Sequence, residues 1–99
     1  MSAHYILDGK IVRRCDLMTW ARWFETAHEN RVVKQEEIAP DVSVSTVFLG
    51  LDHRFGGDGP PIVFETMVFG GPHDQEMERC CTWEEAEKQH ADMVQRVKP

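Results

Sequence analysis

The chain lacks a long hydrophobic run. Its longest uncharged apolar stretch, Val42 to Leu51, is about half the ~20 residues that a membrane-spanning helix needs. The opening MSAHYILDGK also lacks the basic-then-apolar pattern of a secretory signal, so a soluble, cytoplasmic protein without a membrane partner is expected. Cysteine is scarce, with three in all. The number is odd, and Cys80 and Cys81 are adjacent, a spacing at which strand residues point to opposite faces; this excludes a disulfide framework. Cys15, Cys80 and Cys81 form neither a CxxC pair nor a Cys/His spacing, so no metal site and no cofactor is expected, and the thiols read as reduced. Positive charge is short too: 17 acids face 11 bases, for a formal charge of −6. The deficit lies in the second half, where Asp74 to Asp92 alone holds seven acids against Arg79 and Lys88. That density repels phosphate, which argues against direct nucleic-acid binding. Repeats and low-complexity linkers are absent as well, leaving a single domain over residues 1–99.

Apolar material is plentiful. Hydrophobic residues make up 41% of the chain, with three Trp and five Phe, enough for one core at a size where about 60–65% of the surface is buried on folding. Asp8-Gly9 marks a turn after Tyr5-Ile6-Leu7, and Ile11-Val12 reads as a short return strand. From Asp16, a competent N-cap, Leu17, Trp20, Ala21, Phe24 and Ala27 fall at helical spacing. Arg31–Ile38 reads as a strand ending at Ala39-Pro40-Asp41. Val42–Asp52 and Ile62–Phe69 read as a long hairpin around HRFGGDGPP, and Glu78–Cys81 as a short last strand. Thr82-Trp83-Glu84-Glu85 is a capping box opening a helix to about Val97. The expected fold is α+β: an antiparallel sheet of four to five strands with two helices packed on one face.

Few residues stand out chemically. Glu65 lies inside the apolar run IVFETMVFG, and a buried carboxylate costs several kcal/mol without a partner, so it is exposed or paired. Asp52, His53 and Arg54 form the densest polar cluster, where a carboxylate could orient an imidazole. The glycine-rich loop after them leads into a strand, lacks a following Lys and Ser/Thr, and contains an acid, so it is no phosphate cradle. His90 sits on the apolar stripe of the last helix, where a hydrogen-bonded core histidine is the ordinary outcome. Cys80-Cys81 precede a helix start, whose dipole would lower a thiol pKa, but no serine or threonine shows a nucleophile's setting. Trp23, at the edge of its helical stripe, is the tryptophan best placed to anchor a partner, and Glu84, Glu85 and Glu87 offer an acidic surface to a basic one.

The segments STVFLGLDHRF (45–55), IVFETMVFGGP (62–72), TWEEAEKQH (82–90) and DLMTWARWFETA (16–27) resemble a family of small bacteriophage- and prophage-encoded proteins, largely uncharacterised. The resemblance implies a phage-type accessory protein acting in a bacterial host cell, and it brings no catalytic residue and no cofactor. Three readings follow. The first is a non-enzymatic protein that binds a host protein or protein complex, such as a counter-defence inhibitor of the anti-CRISPR kind, through Trp23, Glu84, Glu85 and Glu87. The second is a protein that binds or modifies a small ligand of nucleotide type through Asp52, His53, Arg54, Glu65 and His90. The third is self-association. Both alternation sets of Ile62–Phe69 contain large apolar residues, so a homodimer is expected to cover Val63, Met67 and Phe69, with Glu65 near its interface or rim.

Overall fold

The computed structural model describes residues 4–54 and 56–99. Met1 to Ala3, at the chain opening read above, and Phe55, in the glycine-rich loop, lie outside the described residues. Strands β1 (His4–Asp8) and β2 (Ile11–Cys15) pair antiparallel across a turn in which Gly9 takes φ 62. Helix α1 (Leu17–Ala27) follows, capped by the Asp16 carboxylate, which accepts from the Thr19 N–H at 2.8 Å. That bond holds the Asp16 carboxyl below the usual range. A 3₁₀ turn (His28–Arg31) leads into β3 (Val32–Ala39), β4 (Val42–Phe48), β5 (Phe64–Phe69) and β6 (Met77–Cys80), all antiparallel and in chain order across one sheet. Helix α2 (Trp83–Val97) opens on the expected capping box: Thr82 Oγ1 accepts from the Glu85 N–H, and Glu85 Oε1 accepts from the N–H groups of Cys81 and Thr82, all at 3.1 Å.

Alternation assigns the two faces of the sheet. Val44, Thr46 and Phe48 of β4 lie opposite Val68, Thr66 and Phe64 of β5, and all six are fully buried. Over them lies the α2 stripe Ala86, His90, Met93 and Val97, spaced to fall on one helical face. The α+β class and the four-stranded antiparallel sheet are as expected. The first two strands, however, form a small sheet of their own. They reach the main sheet at its end, where the Tyr5 N–H donates to the Gly50 carbonyl at 2.8 Å and His4 bridges Leu51. Helix α1 packs on β1, and its Trp23 meets Phe48 edge-on with ring centres 5.6 Å apart.

Val63 corrects the sequence reading, which put it beside Met67 and Phe69. It is fully buried with Leu7, Phe48, Phe64 and Ala86. The cause lies just before β5, where its N–H donates to the Cys80 carbonyl and its own carbonyl accepts from the Leu49 N–H. Both neighbours Val63 and Phe64 are thereby drawn into the core.

Gly50 is the joint between the N-terminal unit and the sheet. It takes φ +79, and a Cβ there would stand 2.2 Å from a Phe24 ring carbon and 2.9 Å from Trp20 Nε1. Gly50→Ala should therefore cost about 2–4 kcal/mol, combining left-handed strain with overpacking. Urea unfolding checks this; a loss below about 0.5 kcal/mol, the range of ordinary surface changes, would mean that the N-terminal unit does not lean on this backbone.

Candidate functional site

The helix-facing side of the sheet contains a polar chain. Thr46 and Thr66, cross-strand partners in the core, join hydroxyls at 2.7 Å, and Thr46 Oγ1 lies 2.7 Å from His90 Nδ1. His90 Nε2 lies 2.8 Å from Glu36 Oε1, and Lys34 Nζ lies 3.6 Å from the same oxygen. A carboxylate only accepts, so Nε2 carries the proton; in the neutral ring Nδ1 then accepts from the Thr46 hydroxyl, which accepts from Thr66. The hydroxyls of Thr46 and Thr66 and both nitrogens of His90 thus each have a partner. The His90 bond also holds the Glu36 carboxyl below its usual range. Hydroxyl, imidazole and carboxylate in hydrogen-bond contact are the parts of an activated nucleophile, but Thr46 and Thr66 are fully buried. No substrate reaches the hydroxyl, and the chain serves to fix α2 onto the sheet.

The residues named for a small ligand do not converge. Asp52 Oδ1 accepts from the N–H groups of Arg54 and Ile62, both at 2.9 Å, and Arg54 Nε donates to the Pro60 carbonyl at 3.1 Å. Burial opposes ionisation of Asp52, yet the two N–H bonds outweigh it and hold the carboxyl below its usual range. These two side chains close the loop base. The His53 N–H donates to the Ile62 carbonyl. Glu65 lies on the outer face of the sheet and His90 beneath the inner one, so the sheet stands between them. The expectation of a lowered thiol pKa before α2 is corrected at Cys80: burial, with the Glu85 carboxylate adding to it, pushes that thiol up to about 12.

Of the residues named for a partner, Glu84 and Glu87 are exposed on α2, whereas Glu85 is spent on the helix cap and Trp23 is half-buried against Phe48.

The outer face of the sheet is the more distinctive surface. Its rows are set by register: Val47, Glu65 and Arg79; then Ser45, Met67 and Met77; then Ser43 and Phe69. Glu65 meets the condition set by the sequence, because Arg79 Nε donates to its Oε2 at 3.1 Å. Phe69 is 48% exposed and Met77 42%. Beside Phe69 lies a shallow hollow of about 290 Å³, lined by Gln35, Glu37, Ser43 and Ser45. Among the described residues neither helix covers this face. Sequence reasoning found Met67 and Phe69 there but missed Val47, and it missed Met77 and Arg79 because the register of the short last strand was not legible. It also missed Glu36 and Thr46 as partners of His90, and Thr66 behind Thr46. Thr46 and Thr66 alternate with Val44, Phe48, Phe64 and Val68, and polar residues at core positions demand a partner, which is the signal that would have found them.

Compared with protein-family models, curated proteins and solved structures, the chain matches none.

Two outcomes are expected for the buried chain. His90→Leu should cost about 2–4 kcal/mol by orphaning the Thr46 hydroxyl and the Glu36 contact, whereas adding Thr46→Val and Thr66→Val should recover part of that loss. Equal stability of the single and triple variants by urea unfolding would show that the hydroxyls are not coupled to His90. The second outcome concerns pH. A carboxyl held low stabilises the fold above its unfolded pKa, and that contribution disappears as pH falls through the folded value. The stability gap between the wild type and Glu36→Gln should therefore narrow from pH 5.5 to pH 3; a constant gap would uncouple Glu36 from acid unfolding.

Proposed function

We propose that this is a non-enzymatic accessory protein of the phage type, acting in the cytoplasm of a bacterial host by binding a host protein, in the manner of a counter-defence inhibitor. Its contact surface is the outer face of the sheet. The observation that carries this reading is the group of half-exposed Phe69 and Met77 with Met67 and Val47, gathered beside the Glu65–Arg79 pair on a face that no described element covers. Aromatic residues, Met and Arg are the side chains enriched at protein contacts, and apolar surface gathered on one face marks an interface. The hollow beside Phe69 offers a seat for one side chain of the partner. The resemblance to phage-encoded proteins supplies the setting. Glu84 and Glu87 add negative charge on α2, suited to steering a basic partner rather than to holding it.

The test compares Phe69→Ser with Met77→Ser, made together, against Glu84→Lys with Glu87→Lys, using capture of a stoichiometric partner from host lysate. Capture should be lost in the first pair and kept in the second, with the melting temperature of both within about 4 °C of the wild type, since exposed positions contribute little to stability. The reverse pattern would move the interface to α2. Light scattering covers self-association: a mass of twice 11.4 kDa that falls to one chain in Phe69→Ser with Met77→Ser would make a second copy the occupant of this face.

A further inference from the structure

On the helix side of the molecule, away from the contact face, the β1–β2 turn, the 3₁₀ turn and the start of α2 border a cleft of about 420 Å³. That volume falls within the ~300–1,000 Å³ of small-ligand sites. Trp23 and Trp83 form aromatic walls, with Leu7 and Val32 as further apolar lining. Both indoles are held from behind by the core: Trp23 meets Phe48 and Trp83 meets Phe64, each at 90°, with ring centres 5.6 and 6.2 Å apart. The walls are therefore preformed.

The polar groups at the cleft are Lys10, Glu29 and Asn30. Lys10 Nζ lies over the Trp83 ring, 5.8 Å from its centre, and among the described residues no carboxylate lies within ion-pair distance of it. Glu29 likewise has no cation beside it among the described residues. Arg31, the nearest arginine in sequence, is turned away: its Nε donates to the Phe48 carbonyl at 3.2 Å, and its guanidinium lies 4.4 Å from the Phe24 ring centre. One wall carries an orphan as well, since the Trp83 indole N–H is buried without an acceptor among the described residues. An aromatic cleft whose Lys10 ammonium, Glu29 carboxylate and Asn30 amide have no ion-pair or hydrogen-bond partner among the described residues suits a ring with polar ends.

We propose that this cleft binds a small aromatic compound carrying one anionic group and N–H donors. The ring packs against the Trp23 indole, the anion pairs with Lys10 where it lies over the Trp83 ring, and the donors meet Glu29 and Asn30. Nucleoside monophosphates and free aromatic amino acids share this chemistry.

The test is a titration of the ¹⁵N-labelled protein, followed by amide and indole shifts. One arm uses AMP, GMP, CMP and UMP; a second uses free phenylalanine, tyrosine and tryptophan; inorganic phosphate is the control. A compound from one arm should shift the Trp23 and Trp83 indole signals and the Lys10 and Asn30 amides in a saturable way, and the arm that saturates names the source. Lys10→Ala, at an exposed turn position, should keep the fold and weaken binding by about tenfold or more, as loss of a charge-assisted bond requires. Phe69→Ser with Met77→Ser should leave it unchanged, which separates this site from the contact face. Failure of both arms to saturate at millimolar concentration, equal affinity in Lys10→Ala, or an equal response to phosphate alone would overturn the proposal.

Discussion

His90 holds α2 to the sheet by bonds that apolar packing alone cannot supply. It reaches β4 through Thr46, β5 through the Thr66 hydroxyl behind it, and β3 through Glu36. Apolar contacts tolerate small slides of a helix across a sheet, but directional hydrogen bonds in a low-dielectric interior do not. A displacement of α2 by one turn would leave the Thr46 O–H, which Thr66 does not accept from, and the imidazole buried without partners, at about 1–3 kcal/mol each. The helix therefore has one seat, and the apolar groups around it, Met93 and Val97 on one side and Ala86 on the other, fall into register as a result.

Because the helix is committed to one face, the other is left to the solvent or to a partner. The same commitment shapes the far end of the molecule. Past Phe48 the aromatic series Trp20, Phe24, Trp23, Phe48, Phe64 and Trp83, drawn from both helices and the sheet, continues the core outward. The N-terminal unit is held by these rings, by the Gly50 backbone and by the His4–Leu51 bridge, not by a strand ladder along an edge. A joint made of large planar groups leaves gaps at its margin, and the cleft between Trp23 and Trp83 is one of them.

The sequence made the elements legible wherever one local rule decided them. Asp16 and Thr82 marked both helix starts because an N-cap side chain satisfies its donors within a few residues. Asp8-Gly9 marked the first turn for the same local reason. What depended on distant partners was less legible. The docking of β1 and β2 at the end of the main sheet rests on Tyr5 meeting Gly50, a contact over many residues that no periodicity announces. Glu65 was readable as a residue in need of a partner, but not as the partner of Arg79, since the register of the four-residue β6 is set by tertiary pairing. Asp52, His53 and Arg54 were readable as a polar cluster, yet their neighbourhood in sequence concealed that Asp52 and Arg54 are turned to loop backbone.

That use of Asp52 has an evolutionary consequence. One carboxylate oxygen ties Arg54 and Ile62 together, so the connection between β4 and β5 is closed at its base before its tip is reached. Chain added beyond that point would alter neither the pairing of Thr46 with Thr66 nor the seat of α2, and doubling its length costs only about 0.6 kcal/mol in closure entropy. The opposite end has no such freedom: a Cβ on Gly70 would come within 1.9 Å of the Asp41 carbonyl oxygen, so the β3–β4 turn and the chain leaving β5 lie backbone against backbone. Among descendants of this sequence, length variation should accumulate at the first end of the sheet and be purged from the second.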